Sequence, residues 1–88
     1  MPAYSISLKP SVEKDMQGLS SGMISRVMQR VESLASNPFP PGVIKLATTE
    51  RLYRVRVGNY RVVYEVNAAT THIIVHYIRH RREVYRGM

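Results

Sequence analysis

Residues 52–66, "LYRVRVGNYRVVYEV", alternate apolar and polar side chains on both sides of a Gly58-Asn59 pair. Alternation interrupted by two turn-forming residues predicts two antiparallel strands joined by a two-residue loop. In that register Arg56 lies directly across from Arg61. Like charges opposite one another destabilise a sheet, so the pairing favours a functional reason for the arginines.

Hydrophobic residues at helical spacing precede the hairpin. After an alternating strand at residues 3–8, apolar residues recur every three or four positions and predict a short helix that Ser20-Ser21-Gly22 ends. A second helix is predicted by an apolar stripe along one side, made by Ile24, Val27, Met28, Val31, Leu34 and Ala35. The prolines of residues 37–42 prevent this helix from continuing.

The order of these elements predicts an α+β fold. Residues 43–47 are expected to form a strand or an extended entry to the hairpin, and the apolar residues 72–78 a last strand covered on both faces. Residues 79–88 are expected to form a short C-terminal helix or irregular tail. The fold is therefore an N-terminal strand, a helical hairpin and an antiparallel sheet of three to four strands, with one face left open. We expect one domain, residues 1–88.

The positive charge of the chain is concentrated in its second half. The net charge is +7, and residues 51–88 carry eight arginines against Glu65 and Glu83. Arginine suits bidentate phosphate recognition, so a polyanion is the expected partner, with nucleic acid first and an acidic protein segment second. The absence of cysteine excludes disulfides and thiolate metal sites. No stretch reaches membrane-spanning length, so we expect a soluble cytoplasmic protein.

The pattern Y-R-x-R-x-G-x-Y-R-x-x-Y at residues 53–64 resembles the RelE/ParE superfamily of small bacterial and archaeal toxins. The likeness spans nearly the whole chain and includes "VIKL" at 43–46 and "IRHRREVY" at 78–85. It implies the toxin of a type II toxin–antitoxin system. The spacing from Arg79 to Tyr85 favours the RelE-like branch. These toxins cleave translated messenger RNA on the ribosome, without metal or cofactor, by attack of a ribose 2′-OH on the adjacent phosphate.

The resemblance also implies which residues act. The candidate catalytic residues are Arg54, Arg56, Arg61, Arg79 and Tyr85. Arg54 and Arg56 stand where the family often has lysines, and Arg61 stands on the phosphate-binding arginine. Because the pKa of arginine lies above about 12, these groups suit charge stabilisation and not proton transfer. We therefore expect Tyr85 or His80 to move protons. Further RNA contacts are expected at Lys45, Arg51, Arg81 and Arg82, and no metal ligands are expected.

The resemblance implies a RelB-like antitoxin, bound in a toxin–antitoxin hetero-oligomer, and the ribosome with its messenger RNA as partners. Two alternatives remain open. A ParE-like toxin would inhibit DNA gyrase by protein contact, without proton-transfer residues. A non-catalytic member would bind RNA or the ribosome without cleavage, and arginine in place of lysine at positions 54 and 56 is consistent with that alternative.

Overall fold

The computed structural model describes residues 3–46 and 51–80. None of the helices in this part of the chain is long and apolar enough to cross a membrane. The described helices and strands, in chain order, are β1 (Ser5–Leu8), α1 (Pro10–Met16), α2 (Ser21–Ser33), β2 (Ile44–Lys45), β3 (Leu52–Val57), β4 (Tyr60–Asn67) and β5 (His72–His80).

The β3–β4 hairpin has the predicted register. Val57 pairs with Tyr60, and Arg56 pairs with Arg61, across a two-residue loop. Gly58 occupies the first loop position with φ of +59°, a left-handed conformation that glycine adopts without steric cost. A glycine at this position is typical of a type II′ hairpin turn, whose twist matches that of the flanking strands.

The strands form a mixed sheet in the order β1-β5-β4-β3-β2. Strands β2 to β5 pair antiparallel, as predicted. The N-terminal strand β1 joins the same sheet and pairs parallel to β5. A parallel neighbour requires a long crossover connection, and here the chain makes that connection through both helices and the later strands.

The core lies between the helices and one face of the sheet. The stripe of α2 buries Val27 and Val31, and Leu34 follows at its C-terminal end. These residues pack against alternate residues of the three central strands. The buried strand residues on this face are Val55, Val57, Val62, Tyr64, Val66, Ile73, Val75 and Ile78.

The start of α2 differs from the prediction. The sequence predicts a break at Ser20-Ser21-Gly22, but α2 begins at Ser21 and includes Gly22. Ser20 is the N-cap, and its hydroxyl accepts a hydrogen bond from the Met23 N–H at 3.2 Å. The helix tolerates an early glycine because this cap satisfies one of its free backbone donors.

Strand β5 contains an irregularity that shifts its side-chain pattern. Val63 pairs with Tyr77 but the next residue, Tyr64, pairs with Val75, so His76 is the extra residue of a bulge. The prediction that β5 is covered on both faces is only partly confirmed. His72, Ile74, His76 and Tyr77 are half-buried, because within the described residues the helices cover the other face.

Helix α1 closes the edge of β5 beyond the end of β1. The Lys9 N–H donates to the Val75 carbonyl at 3.0 Å, and the Ser11 hydroxyl donates to the His76 carbonyl at 2.6 Å. Further along, the Asp15 carboxylate accepts the Ile78 N–H at 2.9 Å. Exposed strand edges carry unpaired backbone groups, and α1 satisfies several of those on β5.

Tyr64 links the sheet to the proline-rich connection. It is fully buried, and its hydroxyl donates to the Pro38 carbonyl at 2.6 Å. Burial raises the pKa of Tyr64, and the nearby charge of Arg30 opposes that effect. The neutral phenol is therefore the stable form in the folded protein.

We expect Tyr64→Phe to lower the free energy of unfolding by about 1–2 kcal/mol, because the Pro38 carbonyl loses its donor. Urea unfolding at neutral pH measures this difference. Since the folded pKa is raised, the wild-type protein also loses stability as pH rises above about 10, where the unfolded tyrosine ionises. The difference between the two proteins should therefore shrink in alkali. A constant difference would contradict this assignment.

Candidate nucleic-acid interface

Three arginines form a row across the sheet face opposite the helices. Arg56 on β3 pairs with Arg61 on β4, and Arg61 pairs with Arg79 on β5. Directly paired residues project from the same face, and the row spans about 10 Å because neighbouring strands lie about 4.8 Å apart. Arg54 lies two residues before Arg56 and projects from the same face. We call Arg56, Arg61 and Arg79 the arginine row.

The two outer members of the row have hydrogen bonds that fix their side chains. The Arg56 Nε donates to the Gly58 carbonyl at 2.9 Å. The Arg79 guanidinium forms an ion pair with Asp15 and donates to the Ile78 carbonyl at 3.2 Å. It also lies over the Tyr77 ring, 4.9 Å from the ring centroid, where a cation is attracted to the aromatic face.

Arg61, at the centre of the row, is the buried cation of the described residues. Its exposed fraction is 9%, and its Nη1 donates to the Tyr60 carbonyl at a long 3.4 Å. Arg61 is paired with another arginine on each side, and like charges opposite one another destabilise a sheet. An anion bound over the row would relieve this repulsion.

The face that carries the row has an apolar floor. Val63 is 1% exposed although it lies outside the hydrophobic core cluster. Its direct partners are Arg54 and Tyr77, on either side of it. Long arginine side chains cover apolar surface with their methylene stems while the charged group stays at the surface. Arg54, directly across from Val63, is long enough to cover it in this way.

Other predicted site residues lie away from the row. His80 pairs with Tyr60, which packs against the core, and the two rings meet edge to face at 5.4 Å between centroids. Lys45 is exposed and pairs with Tyr53, which also packs against the core. His80 and Lys45 therefore project from the helix-covered side. Arg51 is exposed and about 17 Å along the chain from Arg56.

The remaining predicted site residues, Arg81, Arg82 and Tyr85, lie outside the described residues, as does the predicted C-terminal helix or tail after residue 80.

The structure places further residues at the candidate site that the sequence analysis does not predict. Asp15 is 64 residues from Arg79 in the chain, so no local pattern could have paired them. Tyr77 could have been found, because it lies two residues before Arg79 on one strand and so shares its face. Glu65 and His76 also contact each other, with 3.0 Å between the Glu65 Oε1 and the His76 Nε2. His76 is the extra residue of the β5 bulge. Within residues 3–46 and 51–80 no cluster of His, Asp or Glu has metal-binding geometry.

We expect Asp15→Asn to lower the free energy of unfolding by about 1 kcal/mol, since the amide keeps an acceptor for the Ile78 N–H but loses the charge opposite Arg79. Urea unfolding measures the difference, which should shrink in high salt. Glu13→Gln is the matched control, because Glu13 is an exposed acid on the same helix. Equal effects of the two variants would contradict a specific role for Asp15.

The chain is similar to known toxins over nearly its whole length. The family described as "ParE toxin of type II toxin-antitoxin system, parDE" matches residues 6–85. A chain of the archaeal RelE–RelB complex from Pyrococcus horikoshii OT3 is 32% identical, with 90% of this chain and 96% of that chain covered and a TM-score of 0.81. A curated protein of Methanocaldococcus jannaschii, named "Putative toxin RelE1", is 28% identical over 96% of this chain and 97% of its own length.

The isolated Escherichia coli RelE toxin is 18% identical, covers 98% of this chain and 100% of its own, and has a TM-score of 0.77. At that identity the likeness shows the fold alone. The family match and the archaeal relative show more, because they extend over nearly the whole sequence. The chain belongs to the RelE/ParE superfamily and is a toxin of a type II toxin–antitoxin system.

Proposed function

We propose that this protein is a ribosome-dependent endoribonuclease that cleaves messenger RNA during translation. The observation that supports the proposal is the arginine row, in which the buried Arg61 is paired with an arginine on each neighbouring strand. A scissile phosphate placed over this face would lie close to Arg61, at the centre of the row. Such fixed positive charge stabilises the electrons that gather on phosphate oxygens during the reaction.

The reaction needs no group beyond the RNA itself as nucleophile. The ribose 2′-oxygen attacks the adjacent phosphorus and loses its proton to an acceptor. The bond from phosphorus to the 5′-oxygen breaks, and that oxygen takes up a proton. The products are a cyclic phosphate and a free 5′-hydroxyl. In this scheme Arg61 and its neighbours Arg54, Arg56 and Arg79 bind the phosphate and stabilise its developing charge.

Proton transfer requires a residue other than arginine, because arginine stays protonated at every relevant pH. The family resemblance implies that Tyr85 is a catalytic residue, without giving it a particular role. His80 was the other candidate, but its position on the far side of the sheet against Tyr60 does not favour it. We therefore propose Tyr85 as the proton-transfer residue, with Arg81 and Arg82 as further RNA contacts from the same segment.

The partners follow from the same surface. We propose a RelB-like antitoxin that covers the arginine row in a hetero-oligomer, and cytoplasmic ribosomes with their messenger RNA as the target. The Pyrococcus horikoshii relative is a complex of RelE with RelB, which supports the first part. The net charge of +7 supports the second, because a basic surface attracts ribosomal and messenger RNA.

An inhibitor of DNA gyrase is the second candidate, since the matching family is described by the ParE toxin. Such a protein acts by contact with another protein and needs no aligned cations around a phosphate. Substitution in the arginine row should then leave inhibition of supercoiling unchanged. A supercoiling assay with purified gyrase therefore separates the two candidates.

We expect Arg61→Ala to reduce messenger RNA cleavage by about 100- to 1000-fold, the usual loss for one donor to a developing oxyanion. Mapping of RNA 3′ ends in a translation reaction with a defined message measures the rate. Arg61→Lys keeps the charge but loses the planar fork of the guanidinium group. Its cleavage rate should therefore lie between those of the wild type and Arg61→Ala. Lys9→Ala removes an exposed cation at the start of α1 and should cleave normally.

Circular dichroism must show that the Arg61 variants are folded, because Arg61 is buried. Intact message with folded wild-type protein bound to ribosomes would refute the nuclease. That result together with inhibited gyrase would support the ParE-like alternative. Ribosome binding with neither effect would support a non-catalytic family member.

A further inference from the structure

A second cluster of cations lies around the edge of β3, on the side of the sheet that α2 covers. Here the α2 surface and the β3–β4 turn enclose an open groove of about 420 Å³. Arg26, Arg30 and Arg56 line it, together with the polar side chains Gln29 and Ser33. We call this cavity the α2 groove. Its described lining contains three cations and no acidic residue.

The groove exists because of helical spacing and one glycine. Arg26, Gln29, Arg30 and Ser33 recur at intervals of three and four residues, so they form one polar stripe of α2 that faces the hairpin turn. A Cβ atom built on Gly58 would lie 3.5 Å from the Arg26 Nη1. The turn thus lies within van der Waals reach of the Arg26 guanidinium, and a Cβ at position 58 would be crowded by the Met23 Cε, 3.3 Å away.

Arg30 supplies an unsatisfied donor in this cavity. Its Nε is buried and has no hydrogen-bond partner within the described residues. Buried donors without partners are uncommon in folded proteins, because the lost hydrogen bond to water is not replaced. Because Arg30 lines the groove, an anion bound there would lie beside its positive charge.

Arg56 connects the groove to the arginine row. Its backbone pairs with Arg61 in the row, while its side chain lines the groove and donates to the Gly58 carbonyl. Strand β2 pairs with β3 at Arg54 and Tyr53 and does not extend to Arg56. Within the described residues, the edge of β3 is therefore open at the point where the two clusters meet.

We propose that the α2 groove binds the phosphodiester backbone of the RNA strand next to the segment held by the arginine row. The inference deepens the proposed nuclease function and rests on it. The lining is mainly polar and cationic, and Val57, the apolar side chain among its described residues, is buried, which favours repeating phosphates over an amphipathic peptide. Planar guanidinium forks match phosphate oxygens in pairs. The groove thereby extends the RNA contact from one scissile phosphate to its neighbours.

The test compares RNA length in a binding assay that is separate from cleavage. Fluorescence anisotropy would follow labelled 2′-O-methyl RNA, whose blocked nucleophile prevents cleavage, as a dinucleotide and as an octanucleotide. The double variant Arg26→Gln/Arg30→Gln should bind the octanucleotide about tenfold more weakly than the wild type. The slope of the logarithm of the binding constant against the logarithm of the salt concentration should be less steep by about 1.4, which is about 0.7 for each lost phosphate contact. Dinucleotide binding at the row should be unchanged.

The matched control is Lys9→Gln/Lys14→Gln, which removes two exposed cations from α1, away from the groove. It should bind both RNAs like the wild type. Circular dichroism checks folding, and the single variant Arg26→Gln, at an exposed position, replaces the double variant should the latter not fold. Octanucleotide binding by the groove variant equal to that of the control would overturn the proposal.

Two further measurements separate the possible failures. If wild-type protein cleaves messenger RNA on ribosomes but the groove variant binds the octanucleotide normally, the groove inference fails and the nuclease stands. If the groove variant loses octanucleotide binding but wild-type protein never cleaves, the nuclease fails and the RNA groove stands. Binding of a labelled oligoglutamate peptide that depends on Arg26 and Arg30, without such dependence for RNA, would make the groove a peptide site and overturn the proposal.

Discussion

The register of the β3–β4 hairpin is the constraint on which the rest of this structure depends. Side chains of a strand alternate between faces, so a slip of one residue would move every arginine of the hairpin into the core and every core valine to the surface. The two-residue turn at Gly58 prevents that slip by fixing Arg56 opposite Arg61. Burial of Val55 and Val62 on the other face reinforces the same register.

The arginine row is a local conflict that the remaining fold tolerates. Neighbouring cations repel each other, and the central one is largely removed from water. The hydrophobic core on the opposite face, the Asp15 carboxylate and the Tyr77 ring hold the sheet and Arg79 in place despite this repulsion. Local conflict of this kind is expected where a surface is shaped for a ligand of opposite charge.

The position of β3 explains how one arginine can belong to two surfaces. The strand is near the edge of the sheet, and its partner β2 is short, so the side chain of Arg56 reaches the α2 groove while its backbone stays in the row. Gly58 contributes to both surfaces, because its carbonyl accepts from Arg56 and it lines the groove together with Arg26. A single turn thus organises the cations on both sides of the sheet.

Local sequence patterns were enough to predict the hairpin register, the α2 stripe, the α+β class and the placement of Arg54, Arg56 and Arg61 on one face. The other features of the site depend on packing, because they join distant segments or follow from a register shift. These features are the Asp15–Arg79 ion pair, the bulge at His76, the burial of Val63, the displacement of His80 from the row and the approach of Arg26 to Gly58. Periodicity reports which face of its own element a residue occupies, and packing alone decides what that face meets.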